Sequence, residues 1–186
     1  QIQKQLNNIF HNQLVSLHSV SKKGLNYRDL IDLKNNQEIT YLYGEMRDYE
    51  FIGVSLQKDY SIDKTIYISD MTKELRNNQL EIGRNIKNDY EIVLSKTTAV
   101  HLKKNYKELL NQQVYGYYLQ GDSIKKVKLN VVGINTENTI FDTIYINELA
   151  NVKHVSECFN VDIDQIYFSI GMINIDNKVN VNDSIK

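Results

Sequence analysis

The sequence predicts an α+β fold with mixed sheets. Helical and strand-like runs follow one another in the order α, β, α, β, β, β, β, α, β, β, β, α, β. A doubly wound parallel sheet would alternate more strictly. The stretch Gln120-Gly121-Asp122-Ser123 supplies the Gly and Asp that a hairpin turn requires. No repeat at a solenoid period and no low-complexity linker interrupts the 186 residues.

Each element has a local reason. Ile2, Leu6, Ile9, Phe10 and Gln13 mark one face of a helix over residues 1–13. Leu14 to Val20 alternates as a strand, and Gly24 breaks the chain. Asn26 caps a helix that carries Leu30, Ile31 and Leu33. Glu38 to Met46, Tyr49 to Leu56 and Thr65 to Ser69 read as strands, and Met71 to Asn78 as a weak helix or a turn. The run Ile92, Val93, Leu94 stops at Ser95, whose hydroxyl is placed to cap the next helix. Ala99, Leu102, Tyr106 and Leu109 form one apolar stripe on that helix. Val114 to Leu119 and Ile124 to Ile134 make the hairpin. Thr143 to Ile146 is a strand, Asn147 caps a helix through Phe159, and Ile166 to Ile175 is the last long strand.

Composition narrows the chemistry. A formal charge of −1 sets up no general field toward nucleic acid or anionic lipid. The single cysteine, Cys158, rules out a disulfide framework and a cysteine-rich zinc site. No apolar run approaches the roughly 20 residues that span a bilayer. Neither a Walker loop nor a Gly-x-Gly-x-x-Gly turn occurs, so no nucleotide cofactor is expected.

Of His11, His18, His101 and His154, only His154 has a possible co-ligand, Cys158 four residues on. Two ligands do not close a tetrahedral site, so no metal is expected. Ser95-Lys96-Thr97-Thr98 lacks the Ser-x-x-Lys spacing, and no nucleophile elbow is present, so Ser95 reads as a cap and no catalytic residue is assigned. Asp29 with Asp32, and Asp162 with Asp164, read as solvated faces. Lys125, Lys126 and Lys128, opposite Tyr115, Tyr117 and Tyr118, read as the defence of an edge strand and not as a nucleic-acid platform.

The order Ile92 to Ser95, Ala99, Leu102, then Val131 to Ile134, then Ile144 to Asn147 resembles the periplasmic core domain of MacB-type ABC transporter permeases, in the FtsX-like family. The stretches NQLVSL and NYRDLIDLKN fit the upstream part of that domain. The chain departs from the pattern at Asn111-Gln112-Gln113-Val114, where the family often carries a Pro-Ile-Gly-Lys-like turn, and at Lys103, where it has Phe.

The resemblance implies two lobes. One is a βαβ porter-like lobe from residues 1–48 and 148–186, and the other a smaller inserted α+β lobe from 49–147. It also implies a non-enzymatic extracytoplasmic domain on a bacterial cell membrane, without a cofactor. Such a domain couples ATP hydrolysis elsewhere to export of a peptide, drug or lipoprotein, or to signalling. The implied partners are the protein's own transmembrane helices, a cytoplasmic ATP-binding subunit or domain, and a second permease copy. An extracytoplasmic adaptor or exported peptide is also implied, but no nucleic acid. Gln1 and Lys186 would then be cut points beside the membrane, close to one another. A free-standing secreted binding or sensor module is the alternative.

Overall fold

The computed structural model describes residues 12–17, 24–35, 39–68, 70–72, 80–147 and 149–176. The fold is mixed α+β, mostly strands with few helices. It divides into two compact units, residues 1–47 with 162–186, and residues 48–161.

Among the described residues, the first unit is an antiparallel sheet with one α-helix. Its elements are β1 (Asn12–Leu17), β2 (Leu25–Asn26), α1 (Tyr27–Lys34), β3 (Ile39–Met46) and β12 (Tyr167–Asp176). β12 pairs with β1 over Gly171 to Asp176 and with β3 over Phe168 to Ile175, both antiparallel. β1 and β3 therefore run parallel to each other with β12 between them, a split β–α–β arrangement. α1 begins with a reciprocal capping box: Asn26 Oδ1 accepts from Asp29 N–H and Asp29 Oδ2 accepts from Asn26 N–H, each at 2.9 Å. Among the described residues of this unit, Leu30, Met46, Ile166 and Phe168 are buried.

The second unit is a curled sheet. Its strands are β4 (Glu50–Ser55), β5 (Ile66–Tyr67), β6 (Asp70–Thr72), β7 (Leu80–Gly83), β8 (Glu91–Leu94), β9 (Gln113–Gln120), β10 (Ser123–Asn135) and β11 (Thr143–Tyr145). The pairing order is β5-β4-β9-β10-β8-β11-β6, with β7 on β10. Its two outermost members, β5 and β6, are consecutive in sequence, separated by Ile68 and Ser69. The path thus returns to its own chain: residues 66–67 pair with β4 and residues 70–72 with β11. Two helices accompany the sheet, α2 (Lys96–Leu102) and α3 (Ala150–Phe159).

Burial follows pairing. Along β10, Val127, Leu129 and Val131 are buried while Lys126, Lys128 and Asn130 face solvent. From Val131 to Asn135 every residue is buried, where β8 and β7 join. Val93, Val132 and Tyr145 form a second apolar cluster, covered by Leu80 and Ile86. Gly83 has φ +88°, and a Cβ there would sit 2.2 Å from Val132 O, so only glycine lets β7 approach. Gly121, at φ +53°, opens the two-residue loop of the β9–β10 hairpin.

Several expectations are corrected. The apolar stripe from Ala99 to Leu109 is not one helix. α2 ends at Leu102 because Lys103 turns extended, and Tyr106–Leu109 forms a separate 3-10 turn. That break lets the chain return to β10, where Asn111 N–H donates to Val131 O at 2.8 Å. Asn147 is not a side-chain cap of α3. The residue before the helix is Leu149, in the left-handed region at φ 58°, and Asn147 donates to Asp89 instead. The strand expected from Leu14 starts at Asn12, and Met71 and Thr72 are strand. β2 and β7 are additional strands. Residues 48–161 form the larger unit, and they include α3, because His154 on that helix docks on Tyr118 and Asp89. The expected helix over residues 1–11, His18 to Val20 and residues 73–79 lie outside the described residues.

Candidate functional site

At one end of the curled sheet, α2 is fastened by a buried hydroxyl network. Ser95 Oγ accepts from Thr98 N–H at 3.2 Å and from the Thr139 hydroxyl at 3.1 Å. Thr98 Oγ1 accepts from Thr143 N–H at 2.8 Å and donates to Thr143 O at 3.1 Å. Ser95 and Thr98 are fully buried. None of the partners of Ser95 is a base, so this geometry makes a cap and a tie to the segment 136–143. Thr97 Oγ1 adds a bond to Thr139 O at 3.0 Å. At the other end of α2, His101 Nδ1 lies 2.9 Å from Asp142 Oδ1.

This anchoring holds a group of apolar side chains in water. Val100 precedes His101, and Ile140 and Phe141 precede its partner Asp142. Ile140 is 92 % exposed and Phe141 65 %. A groove of about 210 Å³ runs between His101 and Leu102 on one wall and Leu56, Lys64 and Ile66 on the other. Leu56 and Ile62 are exposed beside it. Exposed apolar side chains of this kind suit contact with a partner more than catalysis. The groove has no convergent acid, base and nucleophile: Ser55 Oγ accepts from Gln57 N–H, and His101 is engaged with Asp142.

Charged clusters elsewhere on this unit serve the frame. Arg84 grips Glu91 with two bonds of 2.8 and 2.6 Å, and Lys87 N–H adds a third at 2.7 Å. The Arg84 guanidinium, with that amide, holds the Glu91 carboxyl down at about 2. Glu81 is likewise lowered to about 2, first by the Tyr106 hydroxyl and then by Lys96.

The residues singled out in the sequence are not gathered into one site. His154 and Cys158 share α3 but not a ligand position. Both His154 ring nitrogens are engaged, and the Cys158 thiol donates to Lys126 O at 3.2 Å. Asp29 belongs to the capping box, Asp162 Oδ1 accepts from Asp164 N–H, and Asp164 pairs with Arg28 at 2.5 Å. Lys125, Lys126 and Lys128 lie on the half of β10 that pairs with β9 alone, opposite Tyr118, Tyr117 and Tyr115. The thiol of Cys158 meets part of that open edge. His11 and His18 lie outside the described residues. Among the described residues no group of three or more His, Cys, Asp and Glu is placed to hold a metal, and no helix is long and apolar enough to cross a membrane.

Sequence reasoning missed two features. One is the exposed pair Ile140-Phe141, which stands out only as an apolar doublet inside a polar loop. The other is the His154–Tyr118–Asp89 cluster, whose members are far apart in the chain. No family model matches the chain, and no curated protein matches it.

Proposed function

We propose that the chain is the non-catalytic extracytoplasmic domain of a MacB-type, FtsX-like ABC transporter permease. It couples cytoplasmic ATP hydrolysis to export or to signalling at the outer face of the membrane. The observation that carries this reading is the pairing of the first and last described strands. Asn12 is the Cα partner of Asp176, so the described part of the chain begins and ends at neighbouring positions. A domain set between two membrane helices needs that arrangement, because both helices return to the same bilayer face. The split β–α–β order of β1, α1 and β3 around β12 is in keeping with a porter-like lobe. The groove beside His101 gives such a domain a surface for an exported peptide or an adaptor.

The test is the complete coding sequence, followed by protease treatment of intact cells that express it. Apolar runs of about 20 residues on both sides of the chain are expected, together with cleavage of the domain from outside. A missing run on either side, or protection from external protease, overturns the permease reading. With no run on either side, a free-standing secreted binding or sensor module becomes the better account.

A further inference from the structure

The cluster around His154 has no part in the reading above, yet its chemistry is demanding. His154 is 1 % exposed and Tyr118 is fully buried. The Tyr118 hydroxyl donates to His154 Nδ1 at 2.9 Å, and His154 Nε2–H donates to the carbonyl of Asp89 at 2.5 Å. Nε2 must donate, since a carbonyl only accepts, and in the neutral imidazole Nδ1 then accepts from the Tyr118 hydroxyl, which gives every polar atom of the cluster a partner. The three residues come from three places: His154 from α3, Tyr118 from β9 and Asp89 from the turn before β8. His154 thus ties α3 to the sheet.

A second proton would break this arrangement. Nδ1 would become a donor, so the Tyr118 hydroxyl would have to turn from donating to accepting, and its own proton would lose His154 as acceptor. A buried charge would appear without a carboxylate in contact. The surrounding charges do not offset it fully. Asp89 and Glu157 favour the cation, while burial above all, and Lys153, oppose it. The Asp89 carboxylate is itself engaged by Lys153 and Asn147. Tyr90, whose ring lies 5.2 Å from the imidazole, and Cys158 are pushed up by burial and stay uncharged. The balance lowers His154 from its ordinary value of 6.5.

We propose that His154 is an acid-sensitive latch, and that its protonation below neutral pH frees α3 from the curled sheet. The direction follows from linkage. A group with a lowered folded pKa binds its proton more readily when released, so the docked state is favoured above 6.5 and loses ground as pH falls below it. One proton allows at most a tenfold change in the opening equilibrium per pH unit and, because uptake by the released ring centres on 6.5, about 30-fold in all between pH 7.5 and 5.0.

Amide hydrogen exchange of the whole chain at pH 7.5 and 5.0, corrected for intrinsic rates, reads this directly. The amides of 153–159 are expected to lose protection by about tenfold or more relative to those of β9, up to the linkage limit. His154→Gln is expected to abolish the pH dependence of that ratio. A constant ratio in the parent protein, or an equal loss in His154→Gln, overturns the proposal. Should the variant not fold, the ring titration of His154 in the parent decides by NMR. A midpoint below 6.5 supports the latch, and one at or above it overturns it.

Discussion

Ser95 shows how far one residue can be read from its neighbours. Capping chemistry is local, and the hydroxyl accepts from Thr98 N–H three residues on. Ser95→Ala should cost about 1–2 kcal/mol, the value of a lost cap, raised by the loss of the Thr139 contact. Leu109 is 1 % exposed, whereas Leu102 is half-buried. Leu109→Ala should therefore cost about 2–5 kcal/mol and Leu102→Ala clearly less. Urea unfolding of the three variants checks the order, and a Leu102→Ala protein weaker than Leu109→Ala would reverse our account of this segment. The role of His154 was illegible for the opposite reason. Its partners stand 36 and 65 residues away, and no local pattern joins them.

Among the elements, the long strands and α1 were legible because their apolar periods and caps lie within the segment. The stripe from Ala99 to Leu109 misled because a spacing of three and four fits both a continuous helix and a helix followed by a 3-10 turn. The choice was made by the chain's return to Val131, which is tertiary. α3 ends with Asn160 in the left-handed region at φ 53°, and Val161 N–H closes on Ser156 O at 3.0 Å. Asn tolerates that backbone better than alanine does. Asn160→Ala should destabilise by about 1 kcal/mol and Asn160→Gly should not. Thermal melting of the pair is the check, and equal melting points would remove the backbone explanation.

At the scale of the whole molecule, the α+β class was legible from element order, but the closure of the sheet was not. β5 and β6 are two and three residues long, too short for a periodic signal, and the parallel pairing of β8 with β10 leaves no local trace. Residues 48–161 begin and end side by side, with the Tyr49 and Phe159 rings 5.1 Å apart. The excised segment 48–161 should accordingly fold alone and unfold cooperatively in urea. A broad, non-cooperative transition would mean that this unit depends on the rest of the chain.

The neighbouring strands β5 and β6 also set a timetable. β5 finds β4 only 12 to 14 residues back, but β6 must wait for Thr143–Tyr145, roughly seventy residues further along. At a synthesis rate of about 5–20 residues per second, that wait is on the order of 4–14 s. For that interval the emerging protein carries an unpaired strand flank, which a neighbouring nascent chain can occupy. In the finished molecule residues 66–67 and 70–72 are both paired. Its vulnerability to aggregation is a property of its birth, and slower translation between these two segments should lower the yield of soluble protein.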